Sequence, residues 1–91
     1  MPFLDWKAKL QKREKIAVDS RITRAANGLL GDSKSVGGGV FEMRIALGPG
    51  YRIYFSIVDD NKILLLFTGG DKSSQQKDIE KAKSYLKDWK S

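Results

Sequence analysis

Ninety-one residues make one small domain, 1–91, in which 17 Lys plus Arg face 11 Asp plus Glu for a formal charge of +6. With no cysteine and no histidine, the chain excludes disulfides, thiolate metal sites and the commonest general base at neutral pH. No apolar run reaches transmembrane length and MPFLDWKAKLQKREK lacks a signal-peptide core, which points to the cytoplasm, while the basic surplus points to a polyanionic partner.

Phe3, Trp6 and Leu10 stand at helical spacing, and Val18, Ile22, Ala25 and Ala26 continue the pattern. The spacing predicts two short helices, or one bent helix, over Phe3–Gln11 and Glu14–Asn27, stopped at Asn27-Gly28. Leu29 to Gly39 is turn-rich, with Lys34-Ser35-Val36 as a short edge strand. Val40–Leu47 and Tyr51–Val58 alternate as strands around a Gly48-Pro49-Gly50 turn. Asp59-Asp60-Asn61 signals another turn, and Lys62–Thr68 reads as a strand apolar on both faces, ended by Gly69-Gly70. Ser73-x-x-Gln76 has the form of a capping box ahead of a terminal helix, whose stripe is Ile79, Ala82, Leu86 and Trp89. Trp6, Leu10, Ile22, Leu86 and Trp89 are read as core. The fold class is α+β: two N-terminal helices packed on the oily face of a small antiparallel sheet, then a C-terminal helix.

In the hairpin, Phe41, Met43, Ile45, Leu47, Tyr51, Ile53, Phe55 and Ile57 take one face, while Glu42, Arg44, Arg52, Tyr54 and Ser56 take the other. Folding the chain about Pro49 sets position 44 against 54, 45 against 53 and 46 against 52. Arg44, Arg52 and Tyr54 then form a cationic cluster around a phenol, with Glu42 as an ion-pair partner for Arg44 and, second, as a base.

The segments GGGVFEMRIALGPGYRIYF, LLLFTGGDKSSQ and DIEKAK, with WKAKL and RITRAANGLLGDSKSVG upstream, resemble the HigB-like branch of the RelE/ParE superfamily of toxin–antitoxin toxins over nearly the whole chain. The resemblance implies a compact sheet with two N-terminal helices on one face. It also implies a cytoplasmic toxin held by a cognate helix-turn-helix antitoxin and acting on messenger RNA in the ribosome. Members of that branch usually open with a further strand before the region matching Phe3 to Trp6.

RNA cleavage without metal or cofactor needs a base for the ribose 2′-OH, cations for the phosphorane and an acid for the leaving 5′-oxygen, and it yields a 2′,3′-cyclic phosphate. Guanidinium suits the phosphorane, which selects Arg44 and Arg52. Tyr54 is the candidate acid or base if the arginines lower its pKa, and Lys72 adds charge or shuttles a proton. Tyr51 is placed to stack on a base, while Lys34, Asp71 and Ser73 complete the RNA-binding set. Asp71 is also a candidate base or helix cap, and the helix start near Ser73 offers backbone N–H groups to an anion. Two alternatives stand beside the nuclease: a gyrase-binding toxin without nuclease activity, which the missing histidine favours, and an inactive remnant that binds antitoxin or RNA.

Overall fold

The first helix, α1 (Pro2–Ala8), begins on a proline, whose ring presets the backbone for a first turn where a missing N–H costs nothing. The computed structural model describes residues 1–60 and 63–91. The second helix, α2 (Lys12–Ala26), is separate from α1, and at its start Glu14 accepts a hydrogen bond from the Gln11 N–H at 2.9 Å. It stops at Asn27-Gly28 as expected. Gly28 takes φ +87°, and the Leu29 and Gly28 N–H groups bond back to the Arg24 and Ala25 carbonyls.

Four antiparallel strands follow in the spatial order of the chain: β1 (Ser33–Gly37), β2 (Val40–Ile45), β3 (Tyr51–Val58) and β4 (Ile63–Gly70). A 3-10 turn (Lys72–Ser74) leads into α3 (Gln75–Lys90). The protein is therefore α+β. Asp59 and Asp60 form a turn, both with positive φ. Asn61 and Lys62, expected in that turn and at the head of the last strand, lie outside the described residues.

The hairpin register differs from expectation by two residues. Glu42 faces Tyr54, Met43 faces Ile53, Arg44 faces Arg52 and Ile45 faces Tyr51, so the fold centres on Gly48 and not on Pro49. A two-residue slip keeps every side chain on its own face, so hydrophobic alternation cannot detect it. The five-residue loop Ala46–Gly50 decides the register, and it needs positive φ at both Gly48 and Gly50.

Helices cover both faces of the sheet. Phe3, Val18 and Ala25 from α1 and α2 pack on Met43, Ile45, Ile53 and Phe55, joined by half-buried Trp6, Leu10 and Ile22. The other face is not an open cationic surface: Ala82 and Leu86 of α3 close over Val40, Tyr54 and Phe67. Both-sided cover suits β4, where Leu64 and Leu66 join the first cluster and Leu65 and Phe67 the second. Trp89 is not core; it is about half exposed at the end of α3.

Gly69 and Gly70 do not break the last strand, and neither has positive φ. They are small because helices press against them. A Cβ at Gly69 would collide with the Trp6 indole, and one at Gly70 with the Asp78 carboxylate. Gly69→Ala is expected to lower unfolding free energy by roughly 1–3 kcal/mol through overpacking. Urea denaturation checks this, and a Trp6→Leu background should shrink the loss.

Candidate functional site

The strand pattern puts Arg44 and Arg52 directly opposite each other on the α3 face. Like charges in such a pair repel, and each guanidinium is drawn to its own acceptors. Arg44 is exposed and bonds Asp32 Oδ1 at 3.2 Å. Arg52 is buried; its Nη1 donates to the Gly50 carbonyl at 2.7 Å and its Nε lies 3.7 Å from Glu42 Oε1. Glu42 therefore pairs with Arg52 and not with Arg44, because the true register sets Arg52 opposite residue 44 instead of 46, diagonal to Glu42 on the same face.

Glu42 is the centre of this face. It has no solvent exposure. Its Oε2 accepts from the Tyr54 hydroxyl at 3.0 Å and from Gln75 Nε2 at 2.8 Å. Lys34 Nζ, across the β1–β2 pair, lies 4.0 Å from Oε1. Such a carboxylate is unsuited to take a proton from a substrate in this arrangement, since the face is sealed by α3.

Tyr54 has no exposure either, and on balance its pKa is raised, not lowered. Burial first, then the adjacent Glu42 carboxylate, pushes the phenol well above its ordinary value, while Arg52 pulls weakly the other way. A buried phenol already donating to a carboxylate is a structural group in this conformation. Sequence reasoning placed it beside the cations because the slipped register hid its true opposite number, Glu42.

The remaining candidates gather around the β2–β3 turn. Arg44, Tyr51 and Arg52 border a cleft of about 290 Å³ together with Asp32, Ile45, Ala46 and Gly50. A second hollow of about 410 Å³ is bounded by Pro49, Asp71, Lys72 and Ser73. Lys34 borders neither. Tyr51 is tied down: its hydroxyl donates to Glu14 Oε2 at 2.8 Å and its ring meets the Trp6 indole edge-on. That bond raises the Tyr51 pKa, while the Gln11 N–H first and the Tyr51 hydroxyl second lower that of Glu14.

Asp71 serves as the cap. It accepts from the Ser73 N–H at 2.8 Å and from the Ser73 hydroxyl, and these bonds hold its pKa below the usual carboxylate value, the hydroxyl contributing most. The capping box expected at Ser73-x-x-Gln76 is replaced by this arrangement, with Ser74 preceding α3. The Ser73 N–H is thus occupied and not offered to an anion. Lys72 is exposed beside it.

Taken chemically, the rim supplies positive charge: Arg44 and Lys72 in solvent, and Arg52 at the cleft wall. Asp32 is bound to Arg44 and Glu42 lies beside Arg52, while Asp71, next to Lys72 in the chain and with its pKa held low, is a weak base. Asp32 as the partner of Arg44, and Arg52 in place of Arg44 as the partner of Glu42, are the pairings that the sequence reading missed. Only correct pairing across β1, β2 and β3 could have revealed them. Among the described residues no group of three or more carboxylates could hold a metal ion, and no helix is long and apolar enough to cross a membrane.

Two expected outcomes follow from the buried pair. Arg52→Ala strands Glu42 without its cation and should cost about 3–5 kcal/mol in urea denaturation. In a spectrophotometric pH titration Tyr54 should stay protonated past the point where an exposed phenol ionises. A raised folded-state pKa stabilises fully below the unfolded value of about 10 and is lost as pH rises through the folded one, so Tyr54→Phe should flatten the alkaline fall in stability.

A protein of Haemophilus influenzae named "Uncharacterized protein" is 46% identical over 85 residues, covering 91% of this chain and 84% of the relative. No family model matches the chain, and no solved structure does.

Proposed function

The chain belongs to one family with that Haemophilus influenzae protein, and we propose that it is a toxin of a type II toxin–antitoxin module, of the HigB-like RelE/ParE kind, that cleaves messenger RNA in the ribosome. The observation that carries this reading is the basic rim around the Gly48-Pro49-Gly50 turn, with Arg44 and Lys72 exposed and Arg52 in the cleft wall. The order helix, helix, four-stranded meander, helix supports it, being consistent with the fold the resemblance implies.

On this reading Arg44 and Arg52 neutralise the charge that builds on the phosphorane as the 2′-OH attacks, and Lys72 adds to the field on the other side of the turn. Guanidinium suits that task because it stays charged and presents paired donors. The rim holds no group poised to move protons at neutral pH. The reaction then depends on the ribosome to fix the 2′-OH in line with the leaving 5′-oxygen, which is where an entropic advantage is largest. A ribosomal target places the protein in the cytoplasm. A helix-turn-helix antitoxin would neutralise it by covering the rim, with its own acidic groups on Arg44 and Lys72.

One observation favours a second reading, a gyrase-binding toxin without nuclease activity. Tyr54, the expected proton-transfer group, is sealed beneath α3.

The test uses the exposed cations, because Arg52 is bound into the core. Arg44→Ala and Lys72→Ala should each lower cleavage by about 10²–10³ without changing stability appreciably. Primer extension after induction should show new 5′ ends inside codons for the parent protein and few for the variants. DNA damage with intact transcripts would instead support gyrase binding. Undiminished growth inhibition by both variants would overturn the rim as the site.

A further inference from the structure

The α3 face buries a polar knot around Glu42, and the knot is imperfectly bonded. Glu42 Oε1 and Arg52 Nε are both buried, both without a hydrogen-bond partner, and 3.7 Å apart. A pair kept only for stability would close to a hydrogen bond, since burying two charges costs more than a loose contact returns. Packing does not explain it, as a face that already buries the apolar cluster Val40, Phe67, Ala82 and Leu86 would take an apolar pair more cheaply.

The geometry has a direction. Glu42 Oε2 is committed to Tyr54 and Gln75, which fixes the carboxylate between β3 and the first turn of α3. Oε1 is left for cations alone, Arg52 at 3.7 Å and Lys34 at 4.0 Å. On the arginine, Nη1 donates to Gly50. Among the described residues Nη2 meets no acceptor, and Arg52 lines the cleft that Arg44 also borders. The guanidinium is thus held from behind by a buried carboxylate and from the side by the turn, with its remaining donors uncommitted.

We propose that Glu42 is a positioning residue, a buried carboxylate whose charge holds the Arg52 guanidinium at the cleft wall for a phosphate group of single-stranded RNA. This rests on the RNA-directed reading of the rim. Glu42 touches no RNA; it acts through Arg52. A donor fixed beforehand loses less freedom on binding, so its hydrogen bond counts more.

The experiment combines the NMR signal of the Arg52 Nε–H with binding of a short polyuridine oligonucleotide by the full chain. In the parent protein the Nε–H should be resolved, slow to exchange with water and close to residue 42. Glu42→Gln keeps the shape and removes the charge. It should merge the Arg52 signal with those of freely rotating arginines and weaken RNA binding roughly tenfold. Tyr54→Phe and Gln75→Ala, made separately, each remove one of the two bonds to Oε2 and leave the other bond and the charge beside Arg52 in place. They should lower stability yet leave RNA affinity within about twofold, which a merely structural role would not allow.

Affinity that follows stability across all three variants would overturn the proposal. So would a parent Arg52 Nε–H that is averaged and exchanges fast, a result that needs no variant to fold. Arg44→Ala and Lys72→Ala that bind RNA normally and keep full toxicity would defeat the RNA-directed reading by itself, while a restrained Nε–H would still show the Glu42–Arg52 link.

Discussion

A carboxylate with no solvent exposure dictates its surroundings. Glu42 sits at the middle of β2, and it can stay there because β1 brings Lys34, β3 brings Tyr54 and Arg52, and α3 brings Gln75. Remove any of these elements and a buried charge loses cover or partners, at a cost of several kcal/mol. The register of the hairpin, the docking of α3 and the placement of Arg52 are therefore one arrangement. Asp78 extends it, buried against Gly70 and accepting from the Ser74 hydroxyl at 2.6 Å.

A chain this small gains by covering both faces of its sheet, because a four-stranded sheet with one wet face buries little. The consequence reaches function. With α1 and α2 on one side and α3 on the other, the strands offer no broad face to a ligand. What stays accessible is the end of the sheet, where the β2–β3 loop and the β4–α3 junction meet. Arg44, Arg52 and Lys72 belong to that end. The turn itself is braced from the far side, where Tyr51 reaches Glu14 at the start of α2. The helical hairpin thus holds one wall of the cleft.

The division between cations and proton carriers is the main chemical feature of the rim. Guanidinium and ammonium groups stabilise a phosphorane without changing protonation state, so they work without histidine. The groups that could change protonation state are withdrawn: Tyr54 by burial and Glu42, Asp71 by its bonds to Ser73. Under the proposed reading this separation explains why the protein would depend on its target to supply geometry. It also makes the rim a poor catalyst on free RNA.

Much of the fold was legible in the sequence, because periodicity and end signals are local. The two helices and the Asn27-Gly28 stop followed from spacing and cap chemistry. The sorting of odd and even strand residues followed from a period of two. So did the both-sided burial of β4. The members of the candidate site could be named for the same reason, since parity alone puts Arg44, Arg52 and Tyr54 on one face. Tertiary structure decided what those residues face. A slip of two residues is silent in the pattern, yet it moved Tyr54 from Arg44 to Glu42 and set Arg52 against Arg44. A helix arriving from the far end of the chain turned an apparent surface into core, burying Tyr54 and leaving Trp89 outside. Gly69 and Gly70, which read as a strand break, became the contact points for Trp6 and Asp78. Each of these outcomes depends on groups distant in sequence meeting in space, and no local propensity carries that information.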